Sequence, residues 1–165
     1  MDKIITIENK KDEKFLRTKT RDFDFAARSK KEIADLIALM RHAMREARGI
    51  GLSANQIGFG FKMFVVEIDD EKSKGKKFYA VFNPRIEEMS KEKIFLEEGC
   101  LSVPHAYGPV ERPKKIVLVG QDKNGRPLKI KAWGLLARVF QHEADHLNGI
   151  LFIDKAENIH KITNS

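Results

Sequence analysis

The chain has one cysteine, Cys100, one tryptophan, Trp133, two tyrosines and five prolines among its 165 residues. A lone cysteine excludes an intrachain disulfide, and with it the stapled scaffold of a small secreted protein. A reducing, cytosolic setting is expected. No apolar run approaches the roughly 20 residues of a membrane span, so no membrane partner is expected. The opening stretch Met1-Asp2-Lys3-Ile4-Ile5-Thr6-Ile7 turns polar too soon for a signal peptide. Acidic residues are in deficit, 24 against 31 lysines and arginines, for a net charge of +7. That excess admits an anionic partner such as nucleic acid or a ribosome surface. No arginine-rich run interleaved with aromatics accompanies it, and scattered, solvated lysines are the simpler account. Internal repeats and low-complexity segments are missing too.

What is present describes a globular protein, 42% hydrophobic and 33% charged. The length suits a single domain over 1–165, with 1–28 as an N-terminal packing segment and 154–165 as a short polar tail. Ile4, Ile5 and Ile7 suggest a short strand, and Phe23 and Phe25 a packed extended segment. Ser29-Lys30-Lys31-Glu32 reads as a capping box. The helix after it carries Ile33, Leu36, Ile37, Met40 and Met44 as one apolar stripe, with Gly49 as its stop and His42 off the stripe. Strands are expected over Met63–Ile68, over Phe78–Phe82 closed by Asn83-Pro84, and over Lys93–Glu98. Pro109 to Pro113 reads as loop. Lys115–Gly120 and Leu128–Trp133 read as a hairpin turned by Asp122-Lys123-Asn124-Gly125, with Trp133 packing at its end.

The chemistry concentrates in Gln141-His142-Glu143-Ala144-Asp145-His146. On a helix, residues four apart project from one face, so His142 and His146 can aim two imidazoles at one metal ion. Glu143 stands beside His142, where its carboxylate can reach a water on the metal without being a ligand. Leu135 and Val139 continue the same face and supply an apolar wall. Cys100 ends a strand after Gly99. A lone cysteine is usually an inert buried residue, but a thiolate is a strong ligand for a first-row metal. One Cys and two His would leave a fourth position open, the mark of a catalytic site. In the small-residue loop Gly49-Ile50-Gly51-Leu52-Ser53-Ala54-Asn55-Gln56-Ile57-Gly58, Gln56 can donate a hydrogen bond into such a site. No Gly-Lys-Ser/Thr follows, so it is not a phosphate loop.

Three stretches in order, Gly49–Gln56, Glu98-Gly99-Cys100-Leu101-Ser102 and Gln141–His146, resemble the three motifs of peptide deformylases. The resemblance covers about residues 29–153. It implies an α+β fold with antiparallel sheets around a central metal-binding helix. It also implies removal of the N-formyl group from the initiator formyl-methionine of nascent polypeptides, with release of formate. By position, Cys100, His142 and His146 would hold one divalent ion, generally Fe2+, with Zn2+ or Ni2+ able to replace it. Glu143 would be the general acid/base, and Gln56 and the backbone N–H of Leu101 the oxyanion donors. Ile50, Leu96, Leu135, Val139 and the His142 ring would line the methionine pocket. Backbone at Gly51 and along Leu96–Gly99 would pair with the peptide as if adding a strand. The resemblance further implies a monomer, transient ribosome association, and a cytoplasmic setting or an organelle of bacterial origin.

There are departures from the family pattern. Ser53 stands where the family usually has Ala, with little effect expected. No Pro precedes Leu16-Arg17. Arg138 occupies a place where some members have an apolar pocket residue. The chain stops at Ser165, without the longer C-terminal helix that serves many bacterial members in ribosome docking. A zinc endopeptidase fits less well: the place of a third metzincin histidine is Phe152, and only Glu157 offers a downstream carboxylate. A non-catalytic RNA-binding domain would leave the company of Cys100, His142, Glu143, His146 and Gln56 unexplained.

Overall fold

The computed structural model describes residues 3–163. Met1, Asp2, Asn164 and Ser165, which belong to the two expected terminal segments, lie outside the described residues. A five-stranded antiparallel sheet is formed by β1 (Gly51–Ser53), β2 (Met63–Asp70), β3 (Gly75–Met89), β6 (Lys115–Gln121) and β7 (Pro127–Trp133), side by side in that order. A second sheet places β5 (Val103–Pro113) between β4 (Lys93–Cys100) and β8 (His160–Lys161). Three helices complete the fold: α1 (Lys10–Leu16), α2 (Lys30–Glu46) and α3 (Gly134–Leu147).

The larger sheet is covered on both faces, and β2 shows why its sequence is an unbroken apolar run. Alternate residues of a strand point to opposite faces. Met63 and Val65 pack with Met40 and Met44 of α2, while Phe64 and Val66 pack with Val139 and Phe140 of α3. All four β2 residues are fully buried. Helix α3 is thereby held between the two sheets, and Phe152 and Leu151 close a third cluster against β5.

The capping box of α2 forms as expected: Ser29 Oγ accepts from the Glu32 N–H, and the Glu32 carboxylate accepts from the Ser29 N–H. Its far end differs. The left-handed residue is Arg48 (φ 57°), not Gly49, and the Gly49 N–H donates back to the Met44 carbonyl at 2.9 Å. A Schellman-type return supports that turn even with a side chain on it.

Five other expectations are corrected. Asn83-Pro84 does not close β3. The strand continues to Met89 through a register shift after Phe82, with Asn83 at φ 49°. The Asn83 amide bonds both backbone groups of Phe23 and the Gln121 side chain, which stabilises the irregular turn. Pro109–Pro113 is strand, not loop. The neighbour β8 pairs only with Ala106 and Tyr107, so no strand asks either proline for an N–H; the Pro109 carbonyl accepts from the Glu157 N–H at 2.9 Å and the Pro113 carbonyl from Gln141 Nε2 at 3.0 Å. Trp133 does not pack; it is 63% exposed. Ile4–Ile7 forms no strand, yet it is tied down, with the Ile5 N–H bonded to the Gln56 carbonyl and the Ile7 N–H to the Ser102 carbonyl. The region after Asp154 is more than a polar tail, since β8 lies in it.

Candidate active site

Two of the residues that matter come from one helix turn. His142 and His146 stand on α3 with their Nε2 atoms 3.3 Å apart. The third comes from the end of β4, where a register shift between Gly99 and Cys100 turns the thiol toward the helix. Cys100 Sγ lies 3.1 Å from His146 Nε2, and the three donor atoms fall within 4.8 Å of one another. Two nitrogens bound at about 2.0–2.1 Å to one tetrahedral ion stand about 3.3 Å apart. The donor set therefore fits a divalent first-row ion. Two further observations agree with that fit. Burial alone would raise the Cys100 thiol, but the adjacent imidazoles of His146 and His142 hold it well below the ordinary thiol range, and a metal ligand must be a thiolate. In addition, Glu143 Oε2 is sealed from solvent with no hydrogen-bond partner among the described residues, as is His146 Nδ1.

Glu98 orients this centre. Its Oε1 accepts from His142 Nδ1 at 2.8 Å, which turns Nε2 of that ring toward Cys100 and His146. Arg112 grips the same carboxylate through Nε (2.6 Å) and Nη2 (2.8 Å), and Arg138 Nη1 adds a fourth bond at 2.6 Å. Burial would raise the Glu98 carboxyl; the Arg112 and His142 hydrogen bonds outweigh it and hold it at about 2. Arg112 also reaches Asp145 at 2.9 Å, so the network clamps the segment between the two histidines from behind.

The loop after α2 brings Gln56 to the other side. It is 2% exposed, and its Oε1 accepts from the Ser53 N–H at 3.0 Å, with Ser53 Oγ also at 3.0 Å. That fixes the amide with Nε2 toward Ser102 Oγ (3.1 Å) and Cys100 Sγ (3.7 Å). Ser53 is buried beside Gln56, and its Oγ also lies 2.8 Å from Asn55 Oδ1. Asn55 Nδ2 donates to the His146 carbonyl at 2.7 Å and joins this loop to α3.

A cavity of about 360 Å3 opens in front of these groups. Gln56, Gly99, Cys100, Leu101, His142 and Glu143 line it, as do Ile50, Gly51, Leu135 and Val139. Leu96 is the exception among the expected pocket residues: it is 46% exposed on β4 and does not line the cavity. Gly51 has to be glycine here, because a Cβ would stand 2.6 Å from Glu143 Oε1 and 2.9 Å from Val139 Cγ1. Glu143 is 3% exposed, and burial raises its carboxyl above the ordinary range against the pull of His142 and His146. A buried carboxylate with a free oxygen beside a metal-ligand triad can take and return a proton. Sequence reasoning assigned no side-chain role to Glu98 or Arg112. Glu98 had a signal, standing two residues before the only cysteine; Arg112 had none.

Known proteins with this arrangement can now be set beside it. The family model for polypeptide deformylase matches residues 1–162. Peptide deformylase 2 of Gloeobacter violaceus is 45% identical over 127 residues, 77% of this chain and 67% of that protein. The peptide deformylase of Prochlorococcus marinus is 48% identical over 128 residues, 78% of this chain and 63% of that one. The chain thus spans about two thirds of the length of these curated relatives. The crystal structure of peptide deformylase from Thermotoga maritima superposes with a TM-score of 0.83 at 32% identity, covering 95% of this chain and 98% of that one. With fold, triad and sequence in agreement over nearly its whole length, this chain belongs to the peptide deformylase family.

Proposed function

We propose that this chain is a metal-dependent hydrolase that removes the N-formyl group from the initiator formyl-methionine of nascent polypeptides and releases formate. The observation that carries this reading is the meeting of Cys100 Sγ, His142 Nε2 and His146 Nε2 beside the unpartnered Glu143 Oε2, at the back of an open cavity. Cys100, His142 and His146 would hold the ion. One thiolate and two imidazoles suit Fe2+, and equally admit Zn2+ or Ni2+. When bound, the ion supplies Lewis acidity, which acidifies water and polarises a carbonyl.

The chain's own residues do the rest. Glu143 Oε2 accepts a proton from the water whose oxygen attacks the formyl carbon. The formyl oxygen then carries negative charge, and the Gln56 Nε2–H and Leu101 N–H groups stabilise it; one such donor is typically worth about 3 kcal/mol. As the carbon–nitrogen bond breaks, Glu143 hands its proton to the amine, leaving formate and a free N-terminus. Ile50, Leu135 and Val139 make an apolar seat for the methionine side chain beside the ring of His142. The peptide runs along the free edge of β4, where Gly99 and its neighbours offer unpaired backbone groups. The unit acts as a monomeric catalytic domain in the cytoplasm or in an organelle of bacterial origin. Its net charge of +7 supports transient association with the ribosome.

The test is formate release from a formyl-Met peptide by protein purified without oxygen and loaded with Fe2+. Release by the parent is expected, with a fall of about a hundredfold or more in Glu143→Gln at unchanged metal content. No release from folded, metal-replete parent would overturn the reaction. Full activity in Glu143→Gln would remove the general-base role alone.

A further inference from the structure

A charged side chain sits in the cavity wall beside the apolar residues Leu135 and Val139. Arg138 lies one helical turn before His142 and lines the cavity with Leu135 and Val139. It is 6% exposed. Three bonds fix its guanidinium: Nη1 donates to Glu98 Oε2 (2.6 Å) and to the Val110 carbonyl (3.0 Å), and Nη2 to the Ile94 carbonyl (2.8 Å). The Nε–H has no acceptor among the described residues. It is not among the side-chain atoms sealed from solvent, and Arg138 is a residue of the cavity wall. Glu98 cannot take it. A carboxylate has about four lone-pair sites, and those of Glu98 are used by Arg112 twice, by Arg138 Nη1 and by His142. The cavity wall thus combines the apolar residues Leu135, Val139 and Ile50 with a guanidinium held in place by three bonds.

We infer that Arg138 is a specificity residue, reading the end of the substrate's first side chain through this donor. The inference rests on the deformylase reading. An unbranched side chain with an acceptor near its tip satisfies the donor. An all-carbon chain of the same length leaves it desolvated and unpaired. Thioether sulfur is a weak acceptor, and the oxygen of a methionine sulfoxide is a strong one. The pocket accordingly ranks methionine above norleucine and also admits methionine sulfoxide, which a wholly apolar pocket would reject.

The experiment compares kcat/KM of the Fe2+-loaded protein on three peptides that differ only in the first residue: formyl-Met, formyl-norleucine and formyl-Met sulfoxide. In the parent, the sulfoxide peptide is expected to be turned over at least as efficiently as the norleucine one. Arg138→Leu is expected to lower the sulfoxide-to-norleucine ratio by about tenfold or more, the loss typical when a charged donor is removed from a buried acceptor. A ratio cancels any common loss of rate from a loosened Glu98, which a merely structural role would produce. The three-substrate comparison on the parent stands by itself if Arg138→Leu fails to fold. A parent ratio below about one tenth, or an unchanged ratio in a folded Arg138→Leu, overturns the inference while leaving formyl-Met hydrolysis standing. No release from any of the three peptides overturns the deformylase reading and this inference with it.

Discussion

Gly51 and Glu143 show how little room the chemistry has at the scale of single residues. The proton-transfer role proposed for Glu143 depends on a carboxylate that is buried, raised above its ordinary range by that burial, and confined by the walls around it. Gly51 is one of those walls. A methyl group there would meet Glu143 Oε1 at 2.6 Å and Val139 Cγ1 at 2.9 Å. The nearer contact is the end of a flexible side chain, so the fold should survive at a cost of about 1–3 kcal/mol. The carboxylate, however, must move. Gly51→Ala is therefore expected to keep its metal and lower kcat about a hundredfold, the scale of an ångström-sized misplacement. Metal analysis beside steady-state kinetics would check this. Activity within threefold of the parent would show that Glu143 tolerates displacement. Gln56 is held differently: its Oε1 accepts from the Ser53 N–H, with Ser53 Oγ also 3.0 Å away, and this fixes the proposed oxyanion donor.

At the scale of elements, the contact between α2 and β2 is locked by one buried carboxylate. Glu67 accepts from Arg45 (2.8 Å) and Arg41 (3.1 Å at Nε), and the Arg45 hydrogen bond is the main cause of its depressed value, about 2. The stabilisation exists because the folded value lies below the unfolded one, near 4.5. It is fully present above pH 4.5 and is lost as the pH falls toward 2. Both arginines are more than a third exposed, so solvent screening limits the contribution to about 1–2 kcal/mol. Chemical denaturation at pH 6 and pH 3 should show Glu67→Gln destabilised at the higher pH and closer to the parent at the lower. A constant gap would remove the ion pair as its source. Glu98 is depressed in the same window, and the difference between parent and variant separates the two.

At the scale of the molecule, an ion held by Cys100, His142 and His146 would tie the two sheets together, beside the bonds that Arg138 and Gln141 of α3 make to β4 and β5. Cys100 belongs to β4 in the smaller sheet, while His142 and His146 belong to the helix packed on the larger one. A ligand bound only by the folded state stabilises it by about 4 kcal/mol when free ligand exceeds Kd a thousandfold. For a chain of this size that is about 10 °C in Tm. Thermal unfolding before and after chelation should show a fall of that order, and Cys100→Ala should abolish the difference. An equal Tm with and without chelator would separate the metal from the fold.

What the sequence determined by itself was local. A helix repeats every 3.6 residues, so His142, Glu143 and His146 could be placed together, as could the stripe of α2 and the hairpin at Asp122–Gly125. What only the tertiary structure decided was long-range. The run of β3 through Asn83-Pro84 depends on Phe23, sixty positions away, to satisfy the amide of Asn83. The prolines of β5 fit in a strand because its neighbour stops short of them, a fact about pairing that no window of β5 contains. Glu98, Arg112 and Arg138 lie on three elements with no common period. Their network became visible only when packing excluded water and each buried charge had to find a partner, since an unpaired charge in the interior is too costly to keep.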